Sequence, residues 1–214
     1  MRPRVEIIIL KYKIPEFEKR CVGYIIDNTD LNTPYQINLY DTRKIPCHFS
    51  RIWNGLIKQS SCEYIVIMDS DAFIHTKNWL ELMFQAYESL PNTSIGVSGL
   101  DNGGTLEQRE RKNQGAVKVY SGTPVIGFYK RDIFEKVGYF NEDPRFAVFG
   151  QDTEWVWRAN HLGYPSVLQT NVIAEHVCNA STRKASDEGE FSFEDVSNQA
   201  SEAFRDVKAA YGVV

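Results

Sequence analysis

With 214 residues, 43% of them hydrophobic and 24% charged, the chain has the composition of a folded globular protein and length for one substantial core, which excludes wholesale disorder. A formal net charge of −4 argues against a dedicated nucleic-acid binder, which carries a basic excess. Cys21, Cys47, Cys62 and Cys178 are scattered with no Cys-x-x-Cys pair, which argues against a zinc knuckle or a dithiol redox motif.

Val5 to Leu10 is a β-branched apolar run, the pattern of a buried strand. Glu6 interrupts it and Lys11 ends it, so it is neither a span of ~20 apolar residues nor a signal peptide. The expected location is therefore the cytoplasm, at most peripheral to a membrane, with reduced thiols and with chance sequons at Asn92 and Asn179. Pro15 suits the first turn of a helix that continues through Phe17, Cys21, Tyr24 and Ile25. Tyr35 to Tyr40 is a second strand ending at Asp41. Pro46 to Ser60 is a helix with Phe49, Ile52, Trp53, Leu56 and Ile57 on one stripe. Tyr64 to Met68 is a third strand and runs directly into Asp69. Thr76 is placed to cap the next helix, and Ile95 to Leu100 is a fourth strand.

The first hundred residues thus alternate strand and helix, which predicts an α/β fold with a mostly parallel central sheet. Ligands of such sheets sit outside the carboxyl ends of the strands, where Asp41 and Asp69 both fall. Asp101 to Gly115 is polar, glycine-containing and aperiodic, and is expected to be a long mobile loop. Val117 to Tyr120 and Val125 to Tyr129 read as strands around a turn at Gly122. Asp132 to Val137 and Asp152 to Leu162 read as helices stopped by glycines. Val167 to Gln169 and Val172 to Glu175 are short extended pieces. Beyond Cys178 the composition turns polar, as in a flexible linker, before a last helix from about Ser192 to Ala210.

Three groups could carry chemistry. Asp69-Ser70-Asp71 follows a buried strand. Such a pair suits magnesium or manganese, which take hard oxygen ligands and share them with substrate phosphates, but it also suits a turn. Asp152 opens a helix after Gly150; it is either an N-cap with a dipole-lowered pKa or a general base. His176 ends an extended run; it is either structural or a metal ligand.

In this order the motifs resemble the GT-A fold of glycosyltransferase family 2, over residues 4 to 178. The resemblance rests on the first strand, on Asn38-Leu39-Tyr40-Asp41-Thr42, on Arg51-Ile52-Trp53-Asn54-Gly55 and on Tyr64 to Asp71. It continues through Ser121-Gly122-Thr123, through Phe128 to Glu142, and on to Gln151-Asp152, Arg158 and His176. Lys11-Tyr12-Lys13 departs from the family's Thr-Tyr-Asn, and Gln151 replaces the first acid of its Glu-Asp pair.

The resemblance implies a Rossmann-like α/β/α sandwich. Residues 1–100 would form the nucleotide-binding half, 101–180 the acceptor-side half, and 181–214 a linker and C-terminal helix packed on the same domain. It implies a metal-dependent, inverting hexosyltransferase-type enzyme that uses a nucleotide-sugar donor, a UDP-sugar by family frequency, and an acceptor with a free hydroxyl. That acceptor could be a glycan, a lipid-linked sugar, a protein or a modified nucleic-acid base. Asp41, supported by Asn54, would bind the nucleobase. Asp69 and Ser70 would serve the ribose and diphosphate side. Asp71, Asp69 and His176 would hold Mn²⁺ or Mg²⁺, and Asp152 would be the catalytic base. The alternatives are a non-catalytic nucleotide-sugar or glycan-binding domain of the same fold and, further off, a nucleotidyltransferase.

Overall fold

The computed structural model describes residues 4–30, 32–43, 48–102, 105–119 and 124–211. In chain order the elements are β1 (Val5–Lys11), α1 (Pro15–Asn28), β2 (Tyr35–Asp41), α2 (Phe49–Gln59), β3 (Tyr64–Met68), β4 (Ala72–Ile74), α3 (Trp79–Ser89) and β5 (Ile95–Leu100). They continue with α4 (Leu106–Glu110), β6 (Ala116–Val119), β7 (Ile126–Lys130), α5 (Ile133–Val137), α6 (Gln151–His161), β8 (Ser166–His176), α7 (Ala180–Asp187) and α8 (Phe193–Tyr211). The expected helix start at Pro46, Cys47 and the Tyr120–Thr123 turn region lie outside the described residues.

One eight-stranded sheet has the order β2-β1-β3-β7-β5-β8-β4, with β6 also paired to β8. Strands β1, β2, β3, β5 and β8 run one way, while β7 lies antiparallel between β3 and β5, and β4 and β6 pair antiparallel with β8. Alternation along β1 divides the core. Ile7 and Ile9 pack with Cys21 and Ile25 of α1 and with α3 on one face; Ile8 and Leu10 pack with Trp53 and Ile57 of α2 and Trp155 of α6 on the other. Burial on both faces is why β3 is apolar throughout and β1 is apolar but for Glu6 and the terminal Lys11. This is the expected α/β/α sandwich with a mostly parallel sheet.

Four local expectations are corrected. Thr76 does not cap α3. Its hydroxyl donates to Asn171 O at 3.2 Å and accepts from Ile173 N at 3.0 Å, stitching an irregularity in β8 that appears as a register shift beside Ser98/Gly99 of β5. The two extended pieces after Pro165 are one strand, β8. Its polar middle is buried because Gln169 donates to Leu82 O at 2.9 Å and Thr170 to Gly115 O at 2.8 Å. Asp101 to Gly115 contains α4, where buried Gln108 donates to Ser98 O at 3.0 Å. The polar stretch after Cys178 forms α7, not an extended linker.

Candidate active site

Strands β1, β2, β3 and β8 share a direction, so their carboxyl ends lie on one edge of the sheet. Asp41 ends β2, Asp69 follows β3, and His176 ends β8. The link between Asp71 and His176 is made by β4, only three residues long. It pairs Ala72 with His176, and Val177 N donates to Asp71 O at 3.0 Å. A tight turn, with Ala72 N donating to Asp69 O at 3.1 Å, brings the two aspartates together. His176 Nε2 then lies 3.5 Å from Asp71 Oδ1 and 3.7 Å from Asp69 Oδ2. One ligand atom from each of the three residues falls within 4.8 Å of the others. His176 Nδ1 lies 3.4 Å from Cys178 Sγ, which steadies the ring with Nε2 toward the carboxylates.

The charges in this cluster are coupled. Burial, then the Asp71 carboxylate alongside, pushes Asp69 up to about 7. Burial opposes a charged imidazole at His176, but the hydrogen bond to Asp71 and the field of both aspartates outweigh it and raise its pKa. Both shifts favour the protonated forms of Asp69 and His176. Two carboxylates and an imidazole form a hard, compact donor set with room for phosphate or water oxygens, which fits Mn²⁺ or Mg²⁺.

The same edge opens into a cavity of about 330 Å³ whose wall includes Asp69, Ser70, Asp71, Asp152 and His176, within the range of small-molecule sites. Asp152 reaches this wall from the first turn of α6. Gly150, at φ +85°, is the residue that caps this helix, not Asp152. Asp152 Oδ1 accepts from Thr153 N at 2.7 Å; Oδ2 has no protein donor among the described residues. The expected lowering of its pKa by the helix terminus is overturned: burial outweighs the backbone hydrogen bonds and raises it. A carboxylate moved toward neutrality is a better proton acceptor at physiological pH.

Other expected residues stand elsewhere. Asn54 is buried and fully occupied: Nδ2 donates to Phe140 O and Glu142 Oε1, both at 2.9 Å, and Oδ1 accepts from Phe140 N at 3.0 Å. It clamps the 140–142 turn and does not line this cavity. Asp41 is exposed on the rim, outside the wall of this cavity, and Arg43 beside it holds its carboxyl well below the usual range. Glu154 is buried against Arg158 at 3.0 Å, and Arg158 donates to Val137 O and Tyr139 O at 2.8 Å, so the pair fixes the turn before α6.

Sequence reasoning missed the rest of the wall. Trp53 and Phe49 reach it from the amphipathic stripe of α2, Ser181 and Thr182 from α7, and Phe204 from α8. The stripe could have revealed the first two; the last three lie beyond the recognised motifs. Phe204 packs on Gly150, where an added Cβ would sit 2.4 Å from Phe204 Cζ. Gly150→Ala is therefore expected to cost about 1–3 kcal/mol, from overpacking and from the positive φ, measurable by chemical denaturation.

No protein-family model matches the sequence, and no curated protein matches it. Solved structures do. A crystal structure of GalNAc-T7 with UDP, GalNAc and Mn²⁺ superposes with a TM-score of 0.62 at 11% identity, covering 80% of this chain and 43% of that one. Staphylococcus aureus TarS 1–349 gives 0.59 at 11% identity over 84% of this chain and 62% of its own. Its complex with UDP-GlcNAc gives 0.60 at 12% identity over 80% and 58%. The chain has a GT-A fold. It spans between 43% and 62% of the length of these neighbours, so the likeness is one of fold. No helix among the described residues is long and apolar enough to cross a membrane.

Proposed function

We propose that this GT-A chain is an inverting glycosyltransferase that moves a sugar from a nucleotide-sugar donor, a UDP-sugar first, to an acceptor hydroxyl with the help of Mn²⁺ or Mg²⁺. The observation that carries this reading is the convergence of Asp69, Asp71 and His176 with Asp152 on one cavity at the carboxyl edge of the sheet. The GT-A fold, whose solved neighbours include structures with UDP, Mn²⁺ and UDP-GlcNAc, supports it.

Asp71, His176 and Asp69 would hold the ion, which when bound offsets charge growing on the departing diphosphate. Ser70, between the two aspartates, would face the ribose and diphosphate side. Asp152 Oδ2 takes the proton of the acceptor hydroxyl as its oxygen bonds to the anomeric carbon. The bond from that carbon to the phosphate oxygen breaks on the opposite face, and its electron pair leaves with the nucleoside diphosphate. Displacement from one face inverts the anomeric centre, through the same oxocarbenium-like geometry as in inverting glycosidases. The aromatic wall of Phe49, Trp53 and Phe204 limits water near the reacting carbon, so transfer competes with hydrolysis. Asp41 stands on the rim beyond this cavity, on the side where the nucleobase would extend.

Incubation with a panel of labelled nucleotide sugars and candidate acceptors tests the reading. Release of nucleoside diphosphate with a product of inverted anomeric configuration by NMR is expected. Tight donor binding with neither transfer nor slow hydrolysis favours a binding domain instead.

The protonated cluster gives a pH signature. Asp69, pushed up to about 7, and His176, whose pKa is raised by the hydrogen bond to Asp71, both favour their protonated forms on the acid side, and a divalent ion must displace those protons. Apparent Mn²⁺ affinity is expected to rise between pH 5.5 and 7.5, by up to ~10-fold per pH unit for each proton displaced. Calorimetry at pH 6 in buffers of different ionisation enthalpy should register that release.

A further inference from the structure

The residues of this chain that depart from the family pattern at the end of β1 have a structural task. Tyr12, Lys13 and Ile14 form a three-residue turn: Ile14 N donates to Tyr12 O at 2.8 Å, and Lys13 adopts φ +64°, a region that non-glycine residues seldom occupy. The Lys13 ammonium is thereby directed at the far end of α7. It donates to Glu188 Oε2 at 2.7 Å and to Glu190 Oε1, and Tyr12 OH donates to Glu190 Oε2 at 3.0 Å. Only 12% of the Lys13 side chain is exposed, while the Glu188 and Glu190 side chains it meets remain 45% and 39% exposed, so the pairs are open to screening by salt.

The two glutamates sit where α7 ends. Gly189, at φ +78°, donates to Ser186 O at 2.9 Å, and Glu190 N donates to Ala185 O at 3.1 Å, a Schellman closure that fixes both carboxylates in space. The other end of α7 carries Asn179, Ser181 and Thr182 into the cavity wall, close in sequence to His176. Ser181 Oγ is buried there with no partner. Residues 179–190 thus form a strap along the cavity, tied to β8 at one end and to the β1 turn at the other.

We propose that Lys13, with Tyr12, is a positioning residue that pins the 179–190 strap as the donor-side wall of the active site, so that the Ser181 and Thr182 hydroxyls face the phosphates of the donor. The donor part rests on the glycosyltransferase reading above. Electrostatics give Lys13 a second effect in the same direction. Without it, the Glu188 and Glu190 carboxylates would lose their shared cation, leaving more negative charge near a site that must admit an anionic diphosphate.

The test uses the full chain. Trypsin cleavage after Arg183 and Lys184, without ligand, reports whether the strap is held. Lys13→Met and the pair Glu188→Gln/Glu190→Gln are each expected to speed that cleavage about 10-fold, as local opening becomes easier. In the charge-swapped variant Lys13→Glu/Glu188→Lys/Glu190→Lys, cleavage after Arg183 and Lys184, read by mass spectrometry to separate it from cuts at the two new lysines, should return toward wild type. If Lys13→Met fails to fold, 1 M NaCl on the wild-type chain serves instead, since screening weakens the pairs. With nucleotide sugar and Mn²⁺, Lys13→Met should raise donor KM about 10-fold with kcat within about 3-fold, the mark of lost donor binding, not lost chemistry. Cleavage that is unchanged in both neutralised variants and in high salt overturns the strap proposal, whatever binds. A kcat loss with KM unchanged overturns its donor role. Faster cleavage in a protein whose wild type binds no nucleotide sugar supports the pin and overturns the glycosyltransferase reading alone.

Discussion

Asp152→Asn is expected to lower the transfer rate about 10³-fold while nucleotide-sugar and Mn²⁺ binding stay within a few-fold of wild type. The substitution keeps size and shape, and Asn Oδ1 can still accept from Thr153 N, as the carboxylate does at 2.7 Å. What is lost is the basic oxygen that faces the cavity, and general-base catalysis contributes roughly 10²–10⁴. Burial raises the pKa of Asp152, so wild-type kcat should fall as pH drops through that raised value, because the protonated acid cannot accept the hydroxyl proton. The variant should lose this acidic limb. Steady-state rates from pH 5 to 8, with calorimetry for donor binding, check both points. Near-normal turnover in Asp152→Asn removes it from the base role.

Asp71→Ala has the second large effect, on binding. Asp71 Oδ1 is 3.5 Å from His176 Nε2, and the Asp71 side chain is only 10% exposed. Its removal should weaken Mn²⁺ by on the order of 10²-fold or more, beyond the 10–100-fold typical of losing a supporting contact to a ligand, and donor binding should fall with it. Stability should change little. Relief of the repulsion that Asp71 exerts on Asp69 is offset by loss of its hydrogen bond to His176. The main-chain bond from Val177 N to Asp71 O at 3.0 Å survives the substitution. A melting temperature that holds while metal affinity collapses separates a ligand from a folding residue.

The strands that organise this site were legible because burial on both faces leaves long apolar runs, as in residues 7–10 of β1 and in Tyr64–Met68. Their carboxyl ends then located Asp41 and Asp69. What escaped lacks a local signal. Strand β4 is three residues long, too short for any period, yet its pairing with β8 brings His176 to Asp71. The polar middle of β8 looked like a break because its hydrogen-bond partners, Leu82 and Gly115, are remote in sequence. Asn54 sits in a recognisable motif, but its partners at Phe140 and Glu142 give it a packing task that only the fold reveals. The sign of the Asp152 shift was misread because the helix terminus is visible in sequence and burial is not. Residues 179–190 have the composition of a linker, and the partner that meets their last carboxylates is a lysine from the other end of the chain.

The measurement that bears most directly on the central claim is calorimetric titration of the full chain with a panel of UDP-sugars, in Mn²⁺ and again in excess chelator. Saturable binding of at least one UDP-sugar in Mn²⁺, lost in chelator and lost in Asp71→Ala, is the predicted result. Binding of equal strength in chelator, or in Asp71→Ala, would contradict a metal site at Asp69, Asp71 and His176.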